Sequence, residues 1–213
     1  MANRYGRNVT LIEHPVIARD LTILRDVTTN TAEFRSAMKR IAIILAYHAL
    51  KELPLKSFEI TTPVEKTTGF DINQEIVIVP ILRAGLGLAE AFIQFIPDAR
   101  IGHLGMYRDE DTLKPVDYYA NIPPGLEDAL TLVADPMLAT GGSASDALTH
   151  LKKLGAQHLR FVSLISAPEG LQRLQKNHPD VKIITSAIDT KLNQDAFIVP
   201  GLGDAGDRYF GTT

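Results

Sequence analysis

The chain has 213 residues, 45% of them apolar and 22% charged, the make-up of an ordinary globular fold that can bury a substantial core. A formal charge of −3 with no Lys/Arg cluster argues against a nucleic-acid partner, and zero cysteines exclude disulfides, thiolate metal sites and a cysteine nucleophile. No run approaches the roughly 20 apolar residues of a membrane span, and no apolar stretch of a signal peptide follows Met1–Arg7, so a cytoplasmic setting is expected.

Without repeats, low-complexity tracts or linkers, residues 1–213 read as a single domain. Residues 1–29 read as an irregular arm. Asn30 then caps a long helix, with Glu33 completing a capping-box pattern and Phe34, Met38, Ile41, Leu45 and His48 at helical spacing up to about Leu53 and Pro54. Strand-like pieces follow around Phe58–Val64, and a clearer strand at Glu75–Leu82, whose near-continuous apolar run suits burial on both faces. The turn Arg83-Ala84-Gly85 opens a helix through Phe95, and Ile101–Tyr107 and Leu130–Ala134 read as strands. A helix after Ser143 carries Ala144, Ala147, Leu148, Leu151 and Leu154 on one face and Gly155 at its end. Leu159–Ile165, a helix over Pro168–Asn177, and Val181–Ile188 continue the alternation. The fold class is therefore α/β, a parallel sheet flanked by helices, with its site at the carboxyl ends of the strands.

The most informative segment is Asp135-Pro136-Met137-Leu138-Ala139-Thr140-Gly141-Gly142-Ser143. A strand ends in an acid, and a small-residue turn opens a helix. Backbone N–H groups and the positive helix end suit a phosphate, and the carboxylate suits ribose hydroxyls. Arg83, beside Ala84-Gly85 at another strand end, suits an anion. Arg108 opens a polar loop over 109–123 that reads as an exposed hairpin or a lid.

Other signatures fail. Gly201-Leu202-Gly203-Asp204-Ala205-Gly206 spells the dinucleotide pattern, but only Asp207–Thr213 follow, so no packed helix is expected after it. There is no P-loop and no G-x-S-x-G elbow. His14, His48, His103, His150, His158 and His178 lack metal-ligand spacing and read as surface or helix-flank residues.

At Asp135–Ser143 the chain resembles the phosphoribosyl-diphosphate motif of the type I phosphoribosyltransferases. Pro80–Gly87, Met106-Tyr107-Arg108-Asp109 and Pro200–Arg208 narrow the resemblance to the uracil phosphoribosyltransferases, over nearly the whole chain. The resemblance implies that fold, with an N-terminal helical arm and a C-terminal hood over the base site. It implies a glycosyltransferase of the pentosyltransferase type, converting uracil and 5-phosphoribosyl diphosphate (PRPP) to UMP and diphosphate in pyrimidine salvage. Asp135, Arg83 and Arg108 would be catalytic. PRPP would meet Arg83, Arg108, Asp135, Pro136, Met137, Leu138, Ala139, Thr140, Gly141, Gly142, Ser143 and Asp204. Uracil would meet Ile198, Gly203, Asp204 and Ala205. Pro136 replaces the second acid of most type I enzymes, as is usual in the uracil branch. Thr61–Lys66 is less glycine-containing than its counterpart in the family.

The resemblance also implies Mg²⁺ held mainly by substrate oxygens, with no direct protein ligand, GTP activation in some members, and a homo-oligomer of two or more copies. No segment marks a GTP site. The competing readings are a same-fold enzyme for another base and an RNA-binding regulator, the latter disfavoured by the acidic balance.

Overall fold

The computed structural model describes residues 5–108 and 115–212, with residues 106–108 and 115–118 described by backbone alone. In chain order the elements are β1 (Val9–Leu11), α1 (Pro15–Arg25), α2 (Thr31–Leu50), β2 (Leu55–Thr61), β3 (Lys66–Ile72), β4 (Ile76–Leu82) and α3 (Leu86–Phe95). Next come β5 (Arg100–Ile101), β6 (His103–Arg108), β7 (Pro115–Asn121), β8 (Leu130–Ala134), β9 (Met137–Leu138) and α4 (Gly142–Lys153). The remainder are β10 (His158–Ser166), α5 (Pro168–Asn177), β11 (Lys182–Ile188), β12 (Lys191–Leu192), β13 (Ile198–Val199) and α6 (Ala205–Phe210).

The main sheet runs β1-β11-β10-β8-β4-β6-β7, with β5 beside β4 and β9 beside β10. All its pairings are parallel except β6 with β7. Both faces are covered, which is why β4 is apolar at every position and β8 at all but Thr131. On β4, Ile76 and Ile78 pack with Phe34, Met38, Leu45 and Phe92 of α2 and α3. Val77, Val79 and Ile81 turn the other way, toward Leu148, Leu151, Leu171 and Leu174 of α4 and α5. From β4 the chain steps outward to β6 and β7, then returns to lay β8 on the other side of β4 and continues to β10 and β11. The winding reverses between β4 and β8, and open α/β sheets bind ligands at such a reversal. Among the described residues, no helix is long and apolar enough to cross a membrane.

Asn30 caps α2 as expected: its Oδ1 accepts the Glu33 N–H at 3.0 Å, while its Nδ2 donates to Glu33 Oε2 at 3.0 Å. The strand expected around Phe58–Val64 is a two-stranded hairpin of its own, β2 with β3, turning at residues 62–65.

Three expectations are corrected. The arm before Asn30 is not irregular: β1 pairs with β11 at the sheet edge, and α1 buries Ile17 and Leu24. Pro15 at the first helical position, with His14 Nδ1 accepting the Val16 N–H at 3.1 Å, starts that helix. Leu154 is not on the packed face of α4: it is 49% exposed, because the helix has already ended at Lys153. A packed helix does follow the glycine-rich C-terminal segment, since α6 begins inside the motif and buries Ala205, Gly206 and Tyr209. Of the two readings offered for the histidines, His178 takes the helix-flank one, at the C-terminal cap of α5, and it is buried there. It is 4% exposed, with Nε2 3.1 Å from Ser145 Oγ and 2.9 Å from Ser145 O, and burial above all lowers its pKa.

Candidate active site

A cleft of about 360 Å³ opens at the carboxyl ends of β4 and β8. Asp135, Met137, Ala139 and Thr140 form one wall, and Ile198, Gly203, Asp204, Ala205 and Gly206 the other, with Ala84 between them and Asp195, Ala196 and Phe197 at the rim. A larger hollow of about 740 Å³, lined by Asp71, Glu75, Asp98, Arg100 and Asp128 among others, lies at the amino-terminal ends of the strands, away from the winding reversal.

The first wall follows from local sequence. β8 is buried throughout and delivers Asp135 at its end, anchored by its N–H to Val162 O at 3.1 Å. Pro136 turns the chain inward, its carbonyl accepting from Leu164 N (3.0 Å) and Ile165 N (3.1 Å). β9 then pairs with β10, which sends Leu138 into the core at 1% exposure, away from the cleft. Met137, Ala139 and Thr140 face the cleft. Gly141 precedes α4 with φ +73°, and a Cβ there would come within 2.9 Å of Gly170 O, so only glycine lets the turn lie this close to α5. At the start of α4 the Gly142 N–H meets Thr140 Oγ1 at 3.4 Å, so the helix N-terminus stands beside Thr140.

The second wall is the hood. β12 and β13 form a short antiparallel pair, and the loop after them reaches Asp204, whose carboxylate accepts the Asp207 N–H at 2.9 Å and caps α6. The Leu82–Arg83 and Val199–Pro200 peptide bonds are cis. Ala196, in the left-handed region at φ 62°, sits in a turn that Asn193 Oδ1 holds by accepting from Asp195 N (3.0 Å) and Phe197 N (2.8 Å).

Asp135 and Asp204 are like charges at one cleft. Burial, and then the neighbouring Asp204 charge, push the Asp135 carboxyl up to about 7, against the opposing Met137 N–H bond. The carboxyl is packed round with protein yet reachable from the open mouth of the cleft. Arg83 stands outside the wall, 57% exposed, with Nη2 3.0 Å from Asp207 Oδ1 and its guanidinium 5.8 Å from the Phe210 ring. The Thr212 hydroxyl, then Arg83, hold Asp207 below the usual carboxylate range. Arg108 ends β6, but its side chain lies outside the described residues, as do residues 109–114 of the expected loop. Residues 115–121 are β7, pairing antiparallel with β6, so the flanks of that loop form a hairpin.

Of the residues the resemblance implied, Asp135, Met137, Ala139, Thr140, Ile198, Gly203, Asp204 and Ala205 line the cleft, Leu138 is turned away, and Pro136, Gly141, Gly142 and Ser143 are not among the lining residues. Sequence reasoning missed Ala84, Gly206, Asp195, Ala196 and Phe197 as lining residues. The one available signal for the last three was the turn-forming Asn193 directly before them. Among the described residues, no group of three or more His, Asp or Glu could hold a metal ion.

This sheet order, with an acid and a helix-opening turn at its winding reversal, defines the type I phosphoribosyltransferase class. The fold matches that of the AQ2163 protein from Aquifex aeolicus, with a TM-score of 0.90 and 36% identity over 96% of this chain and 99% of that one. It also matches adenine phosphoribosyl transferase from Trypanosoma brucei (TM-score 0.60, 9% identity, 85% of this chain and 84% of that one), a likeness of fold alone. The family model described as uracil phosphoribosyltransferase matches residues 11–212, and the chain belongs to that family. Its relatives include the uracil phosphoribosyltransferases of Salinibacter ruber, 53% identical over 205 residues (96% of this chain, 98% of the relative), and Pediococcus pentosaceus, 50% identical over 203 residues (95% and 97%).

Proposed function

We propose that this chain transfers a 5-phosphoribosyl group from PRPP to N1 of uracil, releasing diphosphate and forming UMP, a reaction of pyrimidine salvage in the cytoplasm. One observation carries the reading: the two walls of a single cleft supply the groups that each substrate needs. The Thr140–Ser143 turn offers N–H groups at the start of α4 to the 5-phosphate, and Asp135 lies one strand-end away for the ribose hydroxyls. The hood offers the backbone of Ile198 and of Gly203, Asp204 and Ala205 to the base. Uracil presents acceptor, donor and acceptor at O2, N3–H and O4. Cytosine would leave a group unpaired, and sites matched in this way discriminate strongly.

As the bond to diphosphate lengthens, positive charge builds on the anomeric carbon and negative charge on the leaving group. Asp135 and Asp204 would offset the first and Arg83 and Arg108 the second, so the protein acts through positioning and charge. Two carboxylates at one cleft, one with a raised pKa, also suit a cation that arrives with the substrate. Mg²⁺ held mainly by diphosphate and ribose oxygens would neutralise the leaving group. All 213 residues would serve as one catalytic domain, since both core layers share one sheet.

A homo-oligomer is part of the reading. Every residue of β2 is exposed, and Leu55, Phe58, Ile60, Val64 and Phe70 place apolar side chains in water around the β2–β3 hairpin. A lone two-stranded hairpin is marginal in water, so a second copy is its proposed cover.

Diphosphate release should be followed with PRPP, Mg²⁺ and each free base in turn, with and without GTP. Release with uracil alone is expected, and the GTP arm shows whether this chain shares the activation of some family members. Release with a purine, or with none of the bases, would overturn the assignment.

A further inference from the structure

Outside the cleft, the helix that sequence reasoning took for an irregular arm is tied to the hood. Arg25, the last residue of α1, grips Asp189 with two parallel hydrogen bonds, Nη1 to Oδ2 at 2.8 Å and Nη2 to Oδ1 at 2.6 Å. Asp189 follows β11 and is rooted in the sheet by its N–H to Ser166 O at 2.9 Å. Its side chain is 6% exposed, and that of Arg25 is 27% exposed. Between them lies the Gly201 backbone. The Gly201 N–H donates to Asp189 Oδ2 at 2.8 Å, and its carbonyl accepts from Arg25 Nη1 at 2.7 Å. Gly201 has φ +64°, and a Cβ there would meet Ile198 O at 2.1 Å. The chain thus folds back on Ile198 at the point where the ion pair holds it, and both Ile198 and Gly203, two residues on, line the cleft.

A second arginine runs the other way. Arg208 of α6 donates to Leu24 O and, at 2.6 Å, to Asp26 O, which are carbonyls at the end of α1. It also holds Leu202 O at 2.8 Å, and its guanidinium lies 4.6 Å from the Phe34 ring. Helix and hood therefore each send an arginine into the backbone of the other.

We propose that Arg25 and Asp189 are positioning residues for the base: their ion pair clamps both polar atoms of Gly201 and thereby sets the spacing of Ile198 and Gly203 across the base half of the cleft. The inference rests on the function proposed above and adds residues to it. Arg25 and Asp189 are not among the residues lining the cleft, and the Asp135–Ser143 turn is built without them, so loss of the ion pair should be felt by the base and hardly by PRPP. Lysine cannot replace Arg25, because a point charge on a flexible stem cannot grip a carboxylate with two bonds and hold a carbonyl at the same time.

The test is steady-state kinetics of Arg25→Met, Arg25→Lys and Asp189→Asn with each substrate varied, alongside amide hydrogen exchange at Gly201. The Michaelis constant for uracil should rise about tenfold, as for loss of a hydrogen bond to a charged group, with that for PRPP within about twofold. Exchange at Gly201 should quicken, and Arg25→Lys should recover only part of the loss. Arg40→Met, which breaks a different ion pair of α1, serves as the control for general loosening of that helix, and its uracil constant should be unchanged. Equal changes for both substrates, unchanged exchange at Gly201, or the same uracil defect in Arg40→Met would each overturn the inference. Failure of the unaltered chain to turn over uracil would instead overturn the proposed function itself, and is seen before any variant is made.

Discussion

Asp135 is the residue whose ionisation the fold disturbs most visibly. Its carboxyl takes up a proton near pH 7 in the folded protein, against an ordinary value of 3.8, because burial and then the Asp204 charge oppose its anion. The folded chain thus keeps a proton that the unfolded chain releases, so this group contributes most to stability below about pH 4, and that contribution is lost as pH rises through about 7. Asp135→Asn is neutral at every pH. Relative to the unaltered protein it should melt higher at pH 8 than at pH 5 in differential scanning calorimetry, and a difference that does not vary with pH would contradict this account. Its kcat/KM with PRPP should fall at least about a hundredfold, the scale of losing one charge-stabilising group. Asp135 was legible in the sequence because its strand, its turn and its helix are contiguous. Phe197 was not, because what brings it to the rim is a pair of two-residue strands with no periodicity to read.

At the scale of elements, α1 shows how an ion pair can carry a helix that hydrophobic patterning only partly specifies. Asp20 has a side chain with 0% exposure, bonded by Arg40 Nε at 2.8 Å and Nη2 at 2.9 Å and by Arg19 Nε at 2.9 Å. Burial alone would raise its pKa, but the bonds from Arg40 and Arg19 outweigh it and hold the carboxyl below its ordinary value. That contribution to stability is present above the unfolded carboxylate value and is lost as pH falls through the folded one. Arg40→Met leaves a buried charge with only Arg19 and should destabilise the fold by about 3 kcal/mol in urea titration. Asp20→Asn in the same chain should restore part of that loss, and strict additivity would show that the pair is not coupled. The element was within reach of sequence reasoning: Pro15 stands at its start, and Ile17, Leu21 and Leu24 recur at helical spacing. β1 was not, since three residues become a strand only because β11 offers them an edge. β4 and β8, buried on both faces, were read almost to the residue.

For the whole molecule, the exposed hairpin sets the next expectation. Phe58 and Ile60 share one face of it, and Leu55 and Phe70 the other, by their register. Replacing Phe58 and Ile60 with serine should lower the mass seen by sedimentation equilibrium without unfolding the core, which the hairpin does not help to form. An unchanged mass would overturn the hairpin as the proposed contact between copies. The α/β class was legible because alternating strands and helices imply it, whereas the order of the strands lies in pairings between distant segments. The two arginines that join α1 to the hood bridge such a distance, 164 positions from Arg25 to Asp189 and 184 from Arg208 to Leu24. The phosphate turn, by contrast, is held by bonds to β10 from residues fewer than thirty positions away, Asp135 to Val162 and Pro136 to Leu164 and Ile165. Contacts so far apart in sequence form slowly, because a long stretch of chain must first be ordered. The two halves of the cleft should therefore mature on different clocks, with phosphate binding regained before uracil binding when the two are followed during refolding.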